Sequence, residues 1–293
     1  MQLTVVIQDL GMGGLQDGDG NPQDRWPQLA QRINGAAERV DVVLLCEATG
    51  WDRYGHKQLA RAMADLDLDA APLPPSRSGI GTALLYRREV LGRWVRHNAD
   101  FGLEVLHGIA VTSFDIPGLP APLSFMPVHF TPMSAEQALI EANYAATRCY
   151  KYGPFAVLGG DVNYAPASSR HPLPDFSEMR PYNLGSRTLL PDSDFDPAAA
   201  PEPDRRGARK LVQNGYLDVA WHLFETSRGE DTALLAPTGT NDRIDQAWVS
   251  APLANAVSDY RLLDEPEGAS DHCGLAFTIN TDAIDTASPW TYR

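Results

Sequence analysis

The sequence predicts an α/β protein, because short apolar runs of strand length alternate with longer segments of helical periodicity. Residues 41–47 place a continuous apolar run between two acids, which is typical of a strand buried on both faces. The segment after Asp24 instead places Trp26, Leu29 and Ile33 at helical spacing. A length of 293 residues, 43% of them hydrophobic, suits one large domain or two small ones with a two-layer interior.

Strands and helices can be assigned along most of the chain. Asp24 and Ser134 are residue types that cap helices, and we expect each to begin one. The predicted helices run from Asp24 to about 37, from about 54 to 66 and from Ser134 to about 150. The predicted strands cover residues 1–7, 41–47, 82–86, 108–114, 124–130, 155–161, 217–224, 243–250, 260–263 and 273–279. We expect the strand at 82–86 to pair with the strand at 108–114.

A long segment without periodicity, from residue 164 to about 209, interrupts this pattern. It holds eight prolines between Pro166 and Pro203, and loops of this length inside a compact domain are usually functional or disordered. Because strands resume afterwards, we interpret residues 165–209 as an insertion over a cleft, with a lid as one form it could take. The insertion belongs to a single predicted domain over residues 1–281, which a loose tail at 282–293 follows.

Composition narrows the classes of function. No apolar run approaches the roughly 20 residues of a membrane-spanning helix, and the first residues lack the features of a secretory signal, so we expect a soluble cytoplasmic protein. Cys46, Cys149 and Cys273 are widely spaced, so neither a disulfide framework nor a structural zinc site is indicated. A net charge of -14 argues against coating bulk nucleic acid, but it does not exclude an enzyme that contacts a few phosphates through a metal. No feature indicates an obligate protein partner.

The stretch from Phe155 to Tyr164 contains a candidate site. Its four apolar residues predict a buried strand, and the polar residues after Gly159-Gly160 lie where that strand meets a loop. Asp161 and Asn163, two positions apart on an extended backbone, point to the same side, so a carboxylate and an amide share one face. The glycine pair leaves room for a ligand to approach the backbone. An Asx turn that ends the strand explains the same residues without any function.

Polar side chains end other predicted strands as well. They are Glu47, His129, the segment Arg243-Ile244-Asp245 and the segment Ser270-Asp271-His272-Cys273. No nucleophile elbow accompanies these acids, so we expect water to be the nucleophile. Carboxylates without a cysteine ligand favour Mg²⁺ or Mn²⁺, and a histidine beside an acid suits proton transfer or phosphate contact.

With these motifs in this order, the sequence resembles the endonuclease/exonuclease/phosphatase superfamily. That superfamily includes deoxyribonuclease I, exonuclease III, apurinic endonucleases, inositol polyphosphate 5-phosphatases and neutral sphingomyelinases. The resemblance runs from Leu3 to about Ile279. It implies a deoxyribonuclease I-like, four-layer α/β sandwich in which two packed mixed β-sheets are flanked by helices. It also implies a phosphoester hydrolase that depends on Mg²⁺ or Mn²⁺.

The resemblance assigns catalytic roles to five residues. Asp161 matches an aspartate that places or deprotonates the attacking water, and Asn163 matches an asparagine that holds a phosphate oxygen. Asp245 and His272 match a pair in which the histidine touches the scissile phosphate. His129 matches a histidine that acts near the leaving group in the deoxyribonuclease branch.

The metal ligands that the resemblance implies are Asp9, Glu47 and Asp271. Glu47 matches the family's metal-binding glutamate, and Asp271 matches an aspartate near the metal. The first strand departs from the family pattern, which ends with an aromatic residue, Asn and an apolar residue, whereas this chain has Gln8-Asp9-Leu10. A carboxylate therefore stands where the family has an amide.

These matches predict a nuclease or phosphodiesterase that uses metal-activated water on a phosphoester substrate, with nucleic acid among the candidates. One alternative is a phosphomonoesterase that acts on a small phosphorylated metabolite or a lipid headgroup. Another is a catalytically weakened binding protein of the same fold, which the departure at Gln8-Asp9 allows. Taken singly, His272 could be a core histidine bonded to Asp245, Glu47 a partner for an arginine, and His129 a strand-end residue without a role.

Two further features match no motif. The remaining histidines, which we expect to be structural or exposed, are His56, His97, His107, His171 and His222. The basic run from Arg205 to Lys210 is typical of a solvated helix start, although it could also offer phosphate contacts at the cleft.

Overall fold

The computed structural model describes residues 1–189, 200–239, 241–264, 268–287 and 290. The middle of the predicted insertion and the end of the predicted tail therefore lie outside the described residues. The strands are β1 (Gln2–Asp9), β2 (Val42–Cys46), β3 (Asp69–Ala70), β4 (Ala83–Tyr86), β5 (Arg96–Asn98), β6 (Val111–Phe114), β7 (Leu123–His129), β8 (Phe155–Asp161), β9 (Tyr216–Asp218), β10 (Asp245–Ser250), β11 (Val257–Leu262) and β12 (Leu275–Asn280). The α-helices are α1 (Trp26–Asn34), α2 (Lys57–Leu66), α3 (Arg88–Leu91), α4 (Ala135–Cys149), α5 (Pro181–Arg187), α6 (Arg206–Gln213) and α7 (Val219–Thr226).

The strands form two six-stranded mixed sheets with the same internal arrangement. The first sheet has the order β11-β12-β1-β2-β4-β3, and the second has the order β5-β6-β7-β8-β10-β9. The central pairs β1–β2 and β7–β8 are parallel, and the other described neighbours are antiparallel. In each sheet, the C-terminal ends of the two central parallel strands therefore lie side by side. These strand ends form one edge of the sandwich.

The sheets pack face to face, and helices cover their outer faces. β1 alternates between the two environments: Leu3, Val5 and Ile7 contribute to the core between the sheets, whereas Val6 packs in the cluster beneath α1 and α2. Each such fully buried aliphatic side chain stabilises the fold by roughly 1.5–3 kcal/mol relative to exposure. A third cluster lies between the second sheet and helices α4 and α6. The predicted four-layer α/β sandwich is confirmed.

The glycine pair in β8 serves packing between the sheets. A Cβ at Gly159 would collide with Ile7 Cδ1 of the opposite sheet, and a Cβ at Gly160 would collide with Val128 O and Cys46 Sγ. Gly160 also has a φ of 151°, which side-chain-bearing residues rarely adopt. The prediction that these glycines leave room for a ligand is wrong, because protein atoms already fill the space.

Two strand predictions are also wrong. β4 pairs with β2 and β3 in the first sheet, whereas β6 pairs with β5 and β7 in the second, so residues 82–86 and 108–114 are not partners. Of the predicted strand at 217–224, only residues 217 and 218 belong to β9, and the rest belong to helix α7. The Asp218 carboxylate accepts a hydrogen bond from Trp221 N at 3.4 Å and caps this helix. Val219 and Ala220 of its first turn then pack into the core between the sheets.

Only one of the two predicted helix caps is present. Ser134 Oγ accepts a hydrogen bond from Gln137 N at 3.3 Å and caps α4, as expected. Asp24 does not cap α1, because Arg25 occupies that position and makes no side-chain cap. Asp24 instead forms a salt bridge with Arg61 of α2 at 3.0 Å.

The predicted insertion contains more regular structure than its composition suggests. Within it, α5 and the first turn of α6 are helical. Arg205 is buried rather than solvated, and its Nη1 donates to Pro166 O at 2.6 Å and to Ser168 O at 2.7 Å. In the predicted tail, Ile284 is buried against the core whereas residues 285–287 are exposed, and the loose tail stays a prediction. None of the described helices is long and apolar enough to cross a membrane.

Candidate active site

Five strands present candidate residues at one edge of the sandwich. β1 ends at Asp9 and is parallel to β2, which Glu47 follows directly. In the second sheet, β7 ends at His129 and is parallel to β8, which ends at Asp161. Antiparallel β10 begins at Asp245, which is the direct register partner of Asp161. Side chains that are far apart in sequence therefore meet where the parallel strands end.

Three buried side chains form a group that fits a metal ion. One ligand atom from each of Asp9, His129 and Asp161 lies within 4.8 Å of the others. Asp9 Oδ1 accepts a hydrogen bond from Gly11 N at 2.8 Å, but its buried Oδ2 has no hydrogen-bond partner among the described residues. A buried anionic oxygen without a partner is costly, and a divalent cation would satisfy it. Carboxylates are also the ligands that suit Mg²⁺ and Mn²⁺.

The carboxylates of this group repel one another. Burial and the nearby Glu47 raise the pKa of Asp9 well above its usual value. Burial also raises the pKa of Asp161 to about 8, with His272 opposing the rise and Asp245 adding to it. Since both shifts favour the protonated acids, the metal-free site resists carrying its full negative charge.

Glu47 and Asn163 are held in an unusual backbone conformation. Their φ angles are 54° and 59°, in the left-handed region that residues other than glycine rarely adopt. Glu47 Oε2 accepts a hydrogen bond from Met12 N at 2.6 Å, which fixes its carboxylate beside the loop after β1. Such strain is found preferentially at functional sites, where surrounding contacts maintain it.

Asn163 takes part in both a turn and the site. Its backbone N donates to Asp161 Oδ1 at 2.7 Å, so the Asx-turn interpretation is correct as geometry. Its side-chain Nδ2 donates to Phe130 O at 2.9 Å, and its Oδ1 accepts from Arg187 Nη2 at 3.3 Å. The turn therefore fixes the orientation of the amide and does not compete with a functional role.

His272 and Asp245 form the hydrogen-bonded pair that their motifs predict. His272 Nδ1 lies 2.7 Å from Asp245 Oδ2, and Asp245 N donates to Thr238 Oγ1 at 2.8 Å. Burial opposes the charged imidazolium, but Asp245, Asp9 and Asp161 outweigh it and raise the pKa of His272 to about 12. His272 is therefore a cation at neutral pH, with its Nε2 available to other partners.

His129 is neutral and stacks on a second histidine that sequence patterns did not reveal. Its ring lies parallel to that of His107, with 4.0 Å between centroids, and His129 Nε2 is 3.5 Å from Asp161 Oδ2. Burial lowers the pKa of His129 well below its usual value and that of His107 to about 4. His107 Nδ1 is held by Ser78 Oγ at 2.9 Å. His107, for which we expect a structural role, thus packs against a candidate catalytic residue.

Asp271 is set apart from the buried acids. Its side chain is exposed and lines a cavity of about 460 Å³ together with His272 and Arg187. Glu47 lies close enough to raise the pKa of Asp9. The assignment of Asp271 to the metal stays a prediction, and the buried group points to His129 and Asp161 as further candidate ligands.

Arg187 is the main site residue that the motifs did not reveal. It comes from α5 in the insertion, and its Nη1 donates to Asp242 Oδ2 at 2.9 Å while its Nη2 contacts Asn163 Oδ1. Arg243 of the Arg-Ile-Asp motif, in contrast, is buried in an ion pair with Asp218. The basic side chain nearest to Asn163 Oδ1 is therefore supplied by the insertion and not by the motif.

Comparisons with known proteins agree with this architecture. The model of the Endonuclease/Exonuclease/phosphatase family matches residues 13–272, and no curated protein sequence matches the chain. An AP endonuclease from Archaeoglobus fulgidus has a TM-score of 0.60 and 15% identity, covering 95% of this chain and 100% of that chain. An endonuclease/exonuclease/phosphatase from Bacteroides vulgatus has a TM-score of 0.60 and 14% identity, with coverages of 97% and 100%. A humanized TDP2 from D. rerio has a TM-score of 0.56 and 16% identity, with coverages of 96% and 99%.

The two packed mixed sheets define a protein of the deoxyribonuclease I-like fold class, and the family match indicates a hydrolase. The chain belongs to the endonuclease/exonuclease/phosphatase family, since the family model covers most of its length. The resemblance stated from the motifs is thereby confirmed.

Proposed function

We propose that the chain is a divalent-metal-dependent phosphodiesterase, with nucleic acid as one candidate substrate, that uses an activated water as nucleophile. The observation that carries this proposal is the meeting of Asp9, His129 and Asp161 within 4.8 Å of one another. The His272–Asp245 pair, which interacts electrostatically with both Asp9 and Asp161, adjoins this group. An acidic metal-binding group beside a cationic histidine suits a phosphate, whose oxygens need positive partners on more than one side.

Each residue has a proposed role that follows from its contacts. Asp161, with its raised pKa, aligns the attacking water and accepts a proton from it. His272 donates from Nε2 to a phosphoryl oxygen, while Asp245 holds its Nδ1. Asn163 holds a second phosphate oxygen through its amide, and His129 lies near the leaving group.

The metal would be held by Asp9 and Glu47, with His129, Asp161 and Asp271 as further candidate ligands. Bound Mg²⁺ or Mn²⁺ would polarise a phosphate oxygen and stabilise the negative charge that develops on it. The nucleophile is water in this proposal, because the motifs include no side chain that is activated for covalent attack.

A second candidate function is hydrolysis of a phosphomonoester on a small metabolite or lipid headgroup. The cavity beside His272 has about 460 Å³, the size of a small-molecule site, and residues of the insertion form one wall of it. Arg180 and Arg187 line this cavity and would suit the extra charge of a terminal phosphate.

A substrate panel separates the two functions. Plasmid DNA, short RNA, bis(p-nitrophenyl) phosphate and p-nitrophenyl phosphate would be incubated with the protein and Mg²⁺ or Mn²⁺. Hydrolysis of the diesters alone supports the phosphodiesterase, whereas hydrolysis of the monoester alone supports the second candidate. Turnover of none of them, by a folded protein that binds Mg²⁺, would favour a binding protein that has lost catalysis.

Activity should require an added divalent cation. We expect EDTA to abolish hydrolysis, Mg²⁺ or Mn²⁺ to restore it, and Glu47→Ala to raise the metal concentration needed by at least about tenfold. The matched control is Glu38→Ala, since Glu38 is an exposed glutamate before the opposite end of β2 from Glu47. Full activity after exhaustive chelation, in a protein shown by circular dichroism to be folded, would contradict the metal mechanism.

Arg187→Gln should reduce kcat/KM by roughly 10- to 100-fold, because it removes the cation that orients Asn163 and faces the cavity. Arg180→Gln is the control, since Arg180 lies in the same insertion and lines the same cavity but contacts Tyr182 instead. Steady-state kinetics of the two variants would check this prediction. Equal losses in both would mean that the insertion acts through its general charge and not through Arg187.

A further inference from the structure

A short loop after β1 supplies the backbone amides that hold two candidate metal ligands. Gly11 N donates to Asp9 Oδ1 at 2.8 Å, and Met12 N donates to Glu47 Oε2 at 2.6 Å. One oxygen of each carboxylate is therefore held by residues 11–14, here named the β1 loop, and the other oxygen is left for a different partner. Hydrogen bonds of this kind orient carboxylates toward a metal, and their loss typically lowers metal affinity about 10- to 100-fold.

The β1 loop has an unusual backbone conformation. All four of its residues have a positive φ, between 51° and 74°. Residues visit this left-handed region singly as a rule, and it is unfavourable for a residue with a side chain, such as Met12. At Gly13 a Cβ would also collide with Thr49 O, so the loop packs closely against the segment after β2. Such a conformation persists only where contacts from outside the loop maintain it.

Arg25 makes the first of these contacts. Its side chain is buried, with Nη2 donating to Gly11 O and Nη1 donating to Ala269 O. Its backbone contributes as well, since Arg25 N donates to Gly14 O at 2.7 Å. Ala269 directly precedes the segment 270–272, which contains the candidate histidine of the site. One guanidinium thus joins the β1 loop to the loop that carries this histidine.

The bridge that Arg25 forms depends on the shape of its side chain. A guanidinium is planar and presents its donors in a fixed fork, so it can hold two acceptors at a set separation. A lysine ammonium is a single charged point on a flexible chain. Lysine would therefore keep the charge at this position but would not reproduce the bridge between the two carbonyls.

Trp51 makes the second contact, from the segment that follows Glu47. Its Nε1 donates to Gly13 O at 3.1 Å, and its side chain is fully buried. Its ring packs edge-on against that of Trp26, with 5.4 Å between centroids. The Trp26 indole N–H is used elsewhere, since it donates to Asp65 Oδ2 at 2.8 Å. Of this tryptophan pair, Trp51 is thus the member whose indole bonds the β1 loop.

We propose that Arg25 and Trp51 are positioning residues for the metal site. They hold the β1 loop in the conformation that directs Gly11 N at Asp9 and Met12 N at Glu47. Neither side chain contacts metal or substrate in this proposal, because each acts through the backbone of the loop. The inference rests on the proposed metal-dependent function, since it assigns to these residues the orientation of two of its metal ligands.

Calorimetric titration of the full chain with Mg²⁺ tests the role of Arg25. Arg25→Lys keeps the charge but loses the fork, so we expect Mg²⁺ affinity to fall about tenfold or more. Arg205→Lys is the matched control, because Arg205 is similarly buried and its Nη1 also bridges two backbone carbonyls, those of residues 166 and 168. This control should bind Mg²⁺ as the wild type does. Wild-type affinity in Arg25→Lys would overturn the role of Arg25.

A second pair of variants tests the loop without altering a buried charge. Trp51→Phe keeps an aromatic ring but removes the N–H that bonds Gly13 O, and we expect it to weaken Mg²⁺ binding by roughly tenfold. Trp26→Phe removes the N–H of the stacked partner, which bonds Asp65, and should leave the Mg²⁺ affinity unchanged. Thermal melts would establish that each variant is folded at the temperature of the titration. Equal Mg²⁺ affinities in the two variants would overturn the role of Trp51.

The wild-type titration separates this proposal from the proposed function. A folded wild type that binds no Mg²⁺ would contradict the metal-dependent function and the positioning role together. Mg²⁺ binding that is equal in the wild type, Arg25→Lys and Trp51→Phe would contradict the positioning role alone. Kinetics add a further readout, since the Mg²⁺ concentration for half-maximal hydrolysis should rise in Arg25→Lys by a larger factor than the rate at saturating Mg²⁺ falls. A merely structural role would lower the amount of active protein and leave that concentration unchanged.

Discussion

Asp245→Asn should lose most of the activity that His272→Ala loses, and the double variant should lose little more. The reason is the 2.7 Å contact between His272 Nδ1 and Asp245 Oδ2, which fixes the imidazole and supports its charged form. Removing a residue that stabilises charge in a transition state typically costs about 10²–10³ in rate. Residues that act as one unit give losses that do not add.

The measurement is a double-mutant cycle in kcat/KM on the diester that the substrate panel identifies. His56→Ala is a suitable control, because His56 is exposed and lies in another loop. Thermal melts of each variant would separate loss of activity from loss of folding. Simple additivity of two large losses would show that the two residues do not work as a unit.

The same pair makes a prediction about pH. Asp245 helps to raise the pKa of His272 to about 12, so the wild-type imidazolium persists across the neutral and alkaline range. Without that carboxylate the histidine should lose its proton at lower pH. The alkaline limb of kcat/KM in Asp245→Asn should therefore move toward neutrality, which a merely structural loss would not produce.

The fold was largely predictable because buried strands leave a local mark in the sequence. β2 and β8 are apolar throughout, and the polar residue that follows or ends each of them marks its boundary. Pairing between distant strands leaves no such mark, so the sequence does not show that β4 and β6 lie in different sheets. Residues 217–224 were ambiguous because a short apolar run fits a buried strand or a buried helix turn, and only the Asp218 cap decides between them.

The candidate site was predictable to a similar extent. The motif residues lie at or beside the ends of strands, at the C-terminal end of β1, β2, β7 and β8 and before or at the start of β10 and β12, and the topology brings these ends together at one edge of a sandwich. The surroundings of these residues depend on tertiary contacts that no spacing encodes. Arg187 reaches Asn163 from an insertion without periodicity, and His107 stacks on His129 from a loop without a motif. The packing role of Gly159 is hidden from the sequence for the same reason, because its neighbour Ile7 belongs to the opposite sheet.

Asp9→Asn should stabilise the metal-free protein. Asp9 stands where the family has an amide, and burial and Glu47 raise its pKa, so its ionised form is unfavourable in the folded state. An asparagine can still accept the hydrogen bond from Gly11 N, while it removes one negative charge from the group. We expect a gain on the order of 1–2 kcal/mol in the free energy of unfolding at neutral pH. For a chain of this size, that corresponds to a rise of roughly 2–8 °C in melting temperature.

The stability of the metal-free wild type should fall as the pH rises through the neutral range. The pKa of Asp161 is about 8 in the folded protein and 3.8 ordinarily, so the folded state binds this proton more tightly than the unfolded state. The stability gained from this tighter proton binding is complete below pH 3.8. It declines as the pH rises from 3.8 and is lost once the pH has passed about 8. His272, whose pKa is also raised, acts in the same direction. Buried histidines with a lowered pKa make the folded state more stable as the pH rises. Their effect ends at about pH 6.5, the ordinary pKa of histidine.

Thermal melts in EDTA between pH 6.5 and about pH 8.5 therefore report on the acids of the site and on His272, without the buried histidines of lowered pKa. The decline in melting temperature should be shallower in Asp9→Asn than in the wild type. The decline should be shallower in Asp161→Asn as well, because this variant removes a second acid of the site with a raised pKa. Asp231→Asn, at an exposed aspartate, should melt as the wild type does.

Magnesium should reverse this pattern, because a bound cation favours the ionised carboxylates that the metal-free site resists. Mg²⁺ should raise the melting temperature of the wild type, and the rise should grow with pH as competition from protons falls. In Asp9→Asn the rise should be smaller and the Mg²⁺ affinity from calorimetric titration lower, although part of any hydrolytic activity should persist because the family's amide is restored. If both the Mg²⁺ affinity and the metal-free melting temperature of Asp9→Asn equal those of the wild type, Asp9 lies outside the metal site, and the buried Oδ2 needs another partner.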